Sequence, residues 1–97
     1  MSYWLGSCFE ENAQYKGQPV QKPGKKHVLK NIQSALECQQ KCQEKPGCEF
    51  FTWNSGTGQG KWNKKNANTC WLKKGLGTVK ADCGRKCDGK VSGPKNC

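Results

Sequence analysis

The chain is poor in three things: long apolar runs, arginine and histidine. No stretch approaches the roughly 18 consecutive apolar residues that a membrane-spanning helix needs, so no membrane insertion is expected. Arg85 is the single arginine. Because arginine's planar fork is favoured in base and phosphate recognition, specific nucleic-acid binding is disfavoured. Hydrophobic residues make up only 33% of the 97 residues, so the chain can bury no more than a thin core.

Cysteine, in contrast, is abundant, with eight in the chain. An even count at this density predicts a disulfide framework, and therefore an extracellular location, because a reducing cytosol keeps thiols free. The first and last cysteines lie near the two ends, which predicts a single domain over 8–97, with residues 1–7 as added or linker residues. Residues 1–7 lack a basic segment and an apolar segment, so the secretion signal is expected in a longer parent or to have been removed.

One helix is strongly predicted. Ser34 and Glu37 match a capping box, in which the Ser34 hydroxyl accepts from the Glu37 N–H and the Glu37 carboxylate reaches back to the Ser34 N–H. Good helix formers continue to Glu44, and Pro46-Gly47 ends the segment. The predicted helix spans residues 34–44.

Strand signals are short. They fall at 8–10, 27–30, 48–53 and 70–73, the last two being aromatic and β-prone. Alternation along the last strand places Cys70 and Leu72 on one face, with Trp71 and Lys73 on the other. Between the last two strands, residues 54–69 form a long polar loop, which predicts a flexible or functional segment. The segment 75–97 is rich in Gly and Lys and is expected to depend on its cysteines for order.

Eight cysteines allow 105 pairings, and sequence alone cannot choose among them. Local geometry narrows the choice. The Pro46-Gly47 turn brings Cys42 and Cys48 together, and Cys38 on the helix needs a partner beneath it, for which Cys70 is the natural residue. Two further bridges then complete the favoured set, and they are Cys83 with Cys87 and Cys8 with Cys97.

Four segments together resemble an apple (PAN) domain. They are Ser34-Ala35-Leu36-Glu37-Cys38-Gln39-Gln40-Lys41-Cys42, Pro46-Gly47-Cys48-Glu49-Phe50-Phe51-Thr52-Trp53, Cys70-Trp71-Leu72-Lys73 and Ser92-Gly93-Pro94-Lys95-Asn96-Cys97. The last of these is most similar to the apple modules of apicomplexan microneme adhesins. The resemblance covers nearly the whole chain.

The resemblance implies an α+β fold, in which an antiparallel sheet of about five strands packs around one helix. It also implies three bridges that agree with the geometric choice: Cys8–Cys97, Cys38–Cys70 and Cys42–Cys48. Cys83 and Cys87 are additional to the six-cysteine pattern of the family, so their pairing rests on proximity and elimination.

Metal binding and catalysis are not expected. The Cys-x3-Cys spacings differ from the Cys-x2-Cys of a zinc knuckle, and His27, the single histidine, lies among lysines. Cysteine–histidine chemistry needs a free thiol, whereas all eight cysteines are assigned to bridges. Glu10 and Glu11 are sequence neighbours that face opposite ways on a strand and cannot act as an acid–base pair. No cofactor and no enzymatic activity are predicted.

The sequence favours a binding function, and two features support this hypothesis. In the 54–69 loop, Trp62 lies beside Lys61, Lys64 and Lys65, an aromatic face among cations that suits a sugar ring or a protein contact. The alternative is a tryptophan folded back on the domain. The net charge of +10 also predicts attraction to polyanions such as sulfated glycosaminoglycans, although dispersed lysines also serve solubility. The cations of the C-terminal third are the second candidate surface, and they are Lys73, Lys74, Lys80, Arg85, Lys86, Lys90 and Lys95.

The function predicted is that of a secreted adhesive module mediating protein or carbohydrate contact. The resemblance implies one module of a multi-apple parasite adhesin, secreted from micronemes and used in host-cell attachment and invasion. Its expected partners are a host-cell protein or glycan and neighbouring apple modules or companion adhesins. The alternatives are a regulatory apple module of a coagulation-type serine protease zymogen and a structural spacer in an array.

Overall fold

The structure, a computed structural model, describes residues 8–14, 18–19, 28–58, 60–75 and 87–96. Within these residues there are two helices, α1 (Ala35–Glu44) and α2 (Lys61–Lys65). The described strands are β1 (Glu10–Glu11), β2 (Gln18–Pro19), β3 (Val28–Leu29), β4 (Phe50–Asn54), β5 (Thr69–Lys74) and β6 (Lys90–Pro94). Neither helix of the described residues has the length and apolar character needed to cross a membrane.

The strands form one antiparallel sheet in the order β1-β6-β4-β5, and β2 and β3 both pair with the outer edge of β5. The sheet is therefore five strands wide, and α1 packs on one of its faces. Strand β4 is central, since each of its residues pairs with both β5 and β6. The predicted α+β fold, a sheet of about five antiparallel strands around one main helix, is confirmed.

Helix α1 begins as predicted. Ser34 is its N-cap, and the Ser34 hydroxyl accepts from the Glu37 N–H at 3.1 Å. The Glu37 carboxylate differs in one detail, because it accepts from the N–H of Gln33 at 2.8 Å, not from that of Ser34. After Lys45, the chain turns at Gly47, whose φ of +87° is readily adopted only by a residue without a side chain.

Two disulfides link α1 to strand β5 and to the residue that precedes β4 by two positions. Cys38 bonds Cys70 on β5, and Cys42 bonds Cys48 just before β4, so two predicted pairs are present. The bonded cysteines form a buried cluster with Ile32, Phe51 and Leu72. Cys8 and Cys87 are also disulfide-bonded. Their predicted partners, Cys97 and Cys83, lie outside the described residues.

Strand β6 is a central strand that the sequence pattern did not predict. It lies between β1 and β4, although it contains Gly93 and Pro94. A Cβ at Gly93 would lie 2.9 Å from Phe9 and 3.1 Å from the Phe51 ring. These two rings meet edge to face at 5.4 Å. The glycine therefore makes room for an aromatic pair, a requirement of tertiary packing that no local pattern reveals.

The other short strands follow the predictions with small shifts of one or two residues. Strand β2 is an addition, since its two residues fall in a stretch that had no strand signal. Residues 1–7, His27, Lys80, Arg85 and Lys86 lie outside the described residues.

Candidate ligand-binding surface

The two faces of the sheet differ in chemistry because side chains alternate along each strand. On β4, Phe51 and Trp53 lie with the α1 cluster. The alternate residues Thr52 and Asn54 therefore lie on the opposite side, and Thr52 pairs with Trp71 on β5. We call the side that carries Thr52, Asn54 and Trp71 the outer face.

Polar contacts hold the segment 12–14 against β6. The Thr52 and Ser92 hydroxyl oxygens are 2.7 Å apart, and the Ser92 hydroxyl donates to the Ala13 carbonyl at 2.8 Å. The Asn12 N–H donates to the Lys90 carbonyl at 2.6 Å. Because Thr52 and Ser92 are buried, these bonds satisfy groups that water cannot reach.

Helix α2 lies on the outer face, so the segment 54–69, predicted as one long loop, contains a short helix. Asn54 is fully buried, and its amide Nδ2 donates to the carbonyls of Asn63 at 3.0 Å and Asn66 at 2.9 Å. The helix follows Gly60, whose φ is +98°. The segment is thus anchored by one buried side chain at the end of β4. A 5-residue helix is too short to be stable by propensity alone, so this anchor positions it.

Trp62 of α2 stacks on Trp71 of β5. The ring centroids are 6.0 Å apart and the planes differ by 13°, an offset-stacked arrangement. Trp62 nevertheless remains 52% exposed. Since one indole face lies against Trp71, its other face is turned to solvent. Trp62 therefore folds back on the domain and still leaves aromatic surface exposed, and its role in binding stays a prediction.

Lys90 of β6 is buried and contacts both tryptophan rings. Its side chain is only 4% exposed, and Nζ lies 4.6 Å from the Trp62 ring centroid and 5.7 Å from that of Trp71. The same Nζ donates to the Oε1 of Gln14 at 3.0 Å. Cation–π attraction in such a desolvated position is worth about 1–2 kcal/mol. We call Trp62, Trp71 and Lys90 together the Trp62 platform.

Lys73, two residues along β5 from Trp71, is electrostatically coupled to this site. Burial lowers the pKa of the Lys73 ammonium to about 8, and the positive charge of Lys90 lowers it further in the same direction. Desolvation disfavours the charged form, so Lys73 loses much of its charge in mildly alkaline solution.

The predicted binding lysines fall in different places. Lys61, Lys64 and Lys65 are all exposed on α2, around Trp62. Lys74 is exposed at the end of β5, where alternation turns it to the side opposite Lys73. Lys90 is buried, so it is not part of an exposed basic face. The structure therefore brings the first candidate set together around Trp62. It divides the second, because Lys73 and Lys90 interact on the outer face whereas Lys74 is turned to the other side.

Sequence reasoning missed Trp71 as a site residue and assigned Lys90 to a different surface, the exposed basic face of the C-terminal third. The available signal for Trp71 is its alternation with Cys70, which turns Trp71 away from the helix face. The contact of Lys90 with the two tryptophans had no signal, because Lys90 lies in a Gly- and Lys-rich segment whose strand was not predicted.

The charge around the platform is of one sign along the chain. No aspartate or glutamate occurs between Glu49 and Asp82, a stretch that contains all of α2 and β5. Lysines are frequent in the same stretch. Helix α2 and strand β5 therefore contribute only positive side-chain charge to the surface around Trp62.

Comparison with known protein families gives a match. The family model described as "PAN domain" matches residues 13–73, which is more than half of the chain and includes α1, β4, α2 and most of β5. No curated protein matches the chain significantly. PAN domains occur in extracellular or secreted proteins and are generally modules that bind proteins or carbohydrates. From its cysteine-linked helix, its antiparallel sheet and this match, the chain belongs to the PAN domain family.

Proposed function

We propose that this PAN domain is a non-catalytic, secreted adhesive module whose contact surface is the Trp62 platform with the exposed lysines of α2. One observation carries the proposal. Trp62 is 52% exposed although it is held in place by a parallel ring and a buried ammonium. A fixed, half-exposed tryptophan loses little conformational freedom on binding, which is why tryptophan is enriched in binding hot spots.

The surrounding side chains support the same surface. Lys61, Lys64 and Lys65 are exposed next to Trp62 and supply charge that attracts a partner from a distance. Apart from Trp62, the one large hydrophobic side chain that is strongly exposed in the described residues is Leu36. Leu36 lies on α1, on the other side of the sheet. Among the described residues, Trp62 is therefore the one large hydrophobic side chain that is strongly exposed on its side of the sheet.

We further propose that the module is one of several in a microneme adhesin of an apicomplexan parasite, and that it contacts a host-cell protein or glycan during attachment. The proposal rests on the resemblance of the closing segment Ser92–Cys97 to the apple modules of such adhesins. Neighbouring apple modules or companion adhesins are the other proposed partners.

Binding of the folded module to cultured host cells tests the proposal. A fluorescent tetramer of the module is measured by flow cytometry, and Trp62→Ala is expected to lower bound signal by about tenfold, the effect of losing a hot-spot residue. Leu36→Ala is the matched control, because Leu36 is 48% exposed and lies on α1. Equal binding of wild type and Trp62→Ala would exclude the platform as the contact surface.

A further inference from the structure

We propose that the Trp62 platform binds an anionic sugar ring, a pyranose that carries a carboxylate or a sulfate. The open face of the Trp62 indole stacks on the apolar face of the ring, and the lysines of α2 contact the anionic group. This inference rests on the proposed function and names the ligand class of the same surface.

The stacking half of the proposal follows from the geometry of Trp62. One indole face is covered by Trp71 at 6.0 Å, and the residue is still 52% exposed, so its exposed surface is offered by the opposite face and the ring edges. A flat ring of this size matches one pyranose. Because Trp71 and Lys90 already fix the indole, the ring does not have to be ordered when the ligand arrives.

The charge of the ligand follows from the lysines. An exposed tryptophan face attracts cations in general, as in sites for quaternary ammonium groups. Here the buried Nζ of Lys90 already lies 4.6 Å from the ring centroid, and Lys61, Lys64 and Lys65 surround it. A second cation would be repelled, whereas a carboxylate or sulfate is attracted. Lys65 follows Trp62 by three residues on α2, which places it on the same side of the helix.

The choice of a sugar over an acidic protein follows from the rest of the surface. A stable protein interface buries at least about 1,000 Å² and has an apolar centre. Around Trp62 the described chain offers polar and small residues, Ser55 to Gly58 before α2 and Asn66 to Asn68 after it. A single exposed aromatic ring within a polar, basic surface therefore suits a sugar better than a protein, whose interface needs an extended apolar patch.

Binding of size-matched oligosaccharides to the purified module tests the inference. The probes are a heparin hexasaccharide for sulfate, hexagalacturonate for carboxylate, and maltohexaose as the neutral control, each measured by calorimetry and by tryptophan fluorescence. We expect one or both acidic probes to bind and the neutral probe to bind at least tenfold more weakly. Which acidic probe binds more tightly identifies the anionic group. Equal binding of the neutral probe would overturn the inference.

Two variants separate ring stacking from charge. Trp62→Ala is expected to weaken binding of the acidic probe about tenfold, whereas Trp62→Phe, which keeps an aromatic face, is expected to weaken it only about threefold. Lys64→Gln with Lys65→Gln is expected to weaken binding several-fold at 0.05 M salt and to reduce its salt dependence up to about 0.3 M. Lys41→Gln on α1 is the control for loss of a charge elsewhere, and amide NMR spectra verify folding of each variant.

Other outcomes would contradict the inference in different ways. If Trp62→Ala bound the heparin hexasaccharide as tightly as wild type, attraction would be due to charge alone. If polyglutamate bound as tightly as the sugars, the site would recognise any polyanion. If no sugar bound while cells still bound wild type but not Trp62→Ala, the inference would fail and the proposed contact surface would stand.

Discussion

The two faces of the sheet are stabilised by different kinds of interaction. On the α1 face, two disulfides and an apolar cluster that includes Phe51 and Leu72 exclude water. On the outer face, buried polar side chains hold the covering segments, and a lysine lies against two tryptophans. The α1 face therefore stabilises the fold, whereas the outer face positions exposed side chains. Function is therefore expected to be sensitive on the outer face and stability on the α1 face.

The largest expected effect comes from removing the disulfide between α1 and the sheet. Cys38→Ala with Cys70→Ala opens a loop whose ends are 32 residues apart, and chain entropy gives a loss of about 3–4 kcal/mol in the free energy of unfolding. Urea unfolding followed by circular dichroism measures the loss. The matched comparison is Cys42→Ala with Cys48→Ala, whose separation is 6 and whose expected loss is about 2 kcal/mol. Equal losses would mean that loop entropy does not set the contribution.

Gly93→Ala tests the tight packing on the α1 face. The added Cβ would lie 2.9 Å from Phe9 and 3.1 Å from Phe51, so the aromatic pair must shift, at a cost of about 1–3 kcal/mol. Thermal unfolding measures the change. Gly60→Ala is the comparison on the outer face, since a Cβ there meets nothing within 4 Å and its cost of about 1–3 kcal/mol comes only from the backbone conformation, with φ +98° and ψ 150°. A loss at Gly93 of less than about 0.5 kcal/mol, the range of a neutral surface substitution, would contradict this description of the packing.

Lys90→Met tests the outer face. The substitution keeps the length of the side chain but removes the cation–π contacts and the bond to Gln14, so we expect a loss of about 1 kcal/mol in the free energy of unfolding. Because the positive charge of Lys90 contributes to the low pKa of Lys73, the pKa of Lys73 should rise in the variant. Chemical denaturation and an NMR titration of the lysine side chains measure the two effects. An unchanged pKa of Lys73 would contradict the coupling.

The smallest expected effect is a pH dependence at Lys73. Its folded pKa of about 8 is below the unfolded value of 10.5, so between these pH values the unfolded chain binds more protons than the folded one. Stability of the wild type should therefore rise with pH across this window, relative to Lys73→Met. The rise should be on the order of 1 kcal/mol, less than the full pKa difference implies, because Lys73 is only half-buried and solvent screens its charge. The comparison with Lys73→Met cancels other groups, and Lys74→Met is the control for loss of a neighbouring charge. A difference that is flat from pH 7 to 10.5 would contradict the lowered pKa.

The α1 face was largely predictable because its determinants are local. Ser34 and Glu37 predict the start of α1, and the spacing of Cys38 and Cys42 turns both cysteines to one side of the helix. Alternation at Cys70 and Leu72 then predicts which side of β5 the helix covers. These signals span a few residues each, and the structure confirms the helix and both of these bridges.

The outer face was less predictable because its determinants are distant in sequence. Helix α2 depends on the amide of Asn54, and the orientation of Trp62 depends on Trp71 and Lys90, which lie 9 and 28 residues further along the chain. Strand β6 contains Gly93 because of the Phe9–Phe51 pair, so its sequence resembles a loop. The sequence predicted Trp62 and the lysines beside it as a binding surface, but it contained no signal for what holds Trp62 in place.

Trp62 is held against Trp71 and Lys90 while its indole remains half exposed to solvent. Proton NMR of the folded module tests this arrangement most directly. We expect nuclear Overhauser contacts between the Trp62 and Trp71 ring protons, and a large upfield shift of the Lys90 ε-methylene protons, because Nζ lies within 5.7 Å of both ring centroids. Absence of the ring–ring contacts, together with unshifted Lys90 methylene protons, would contradict the account.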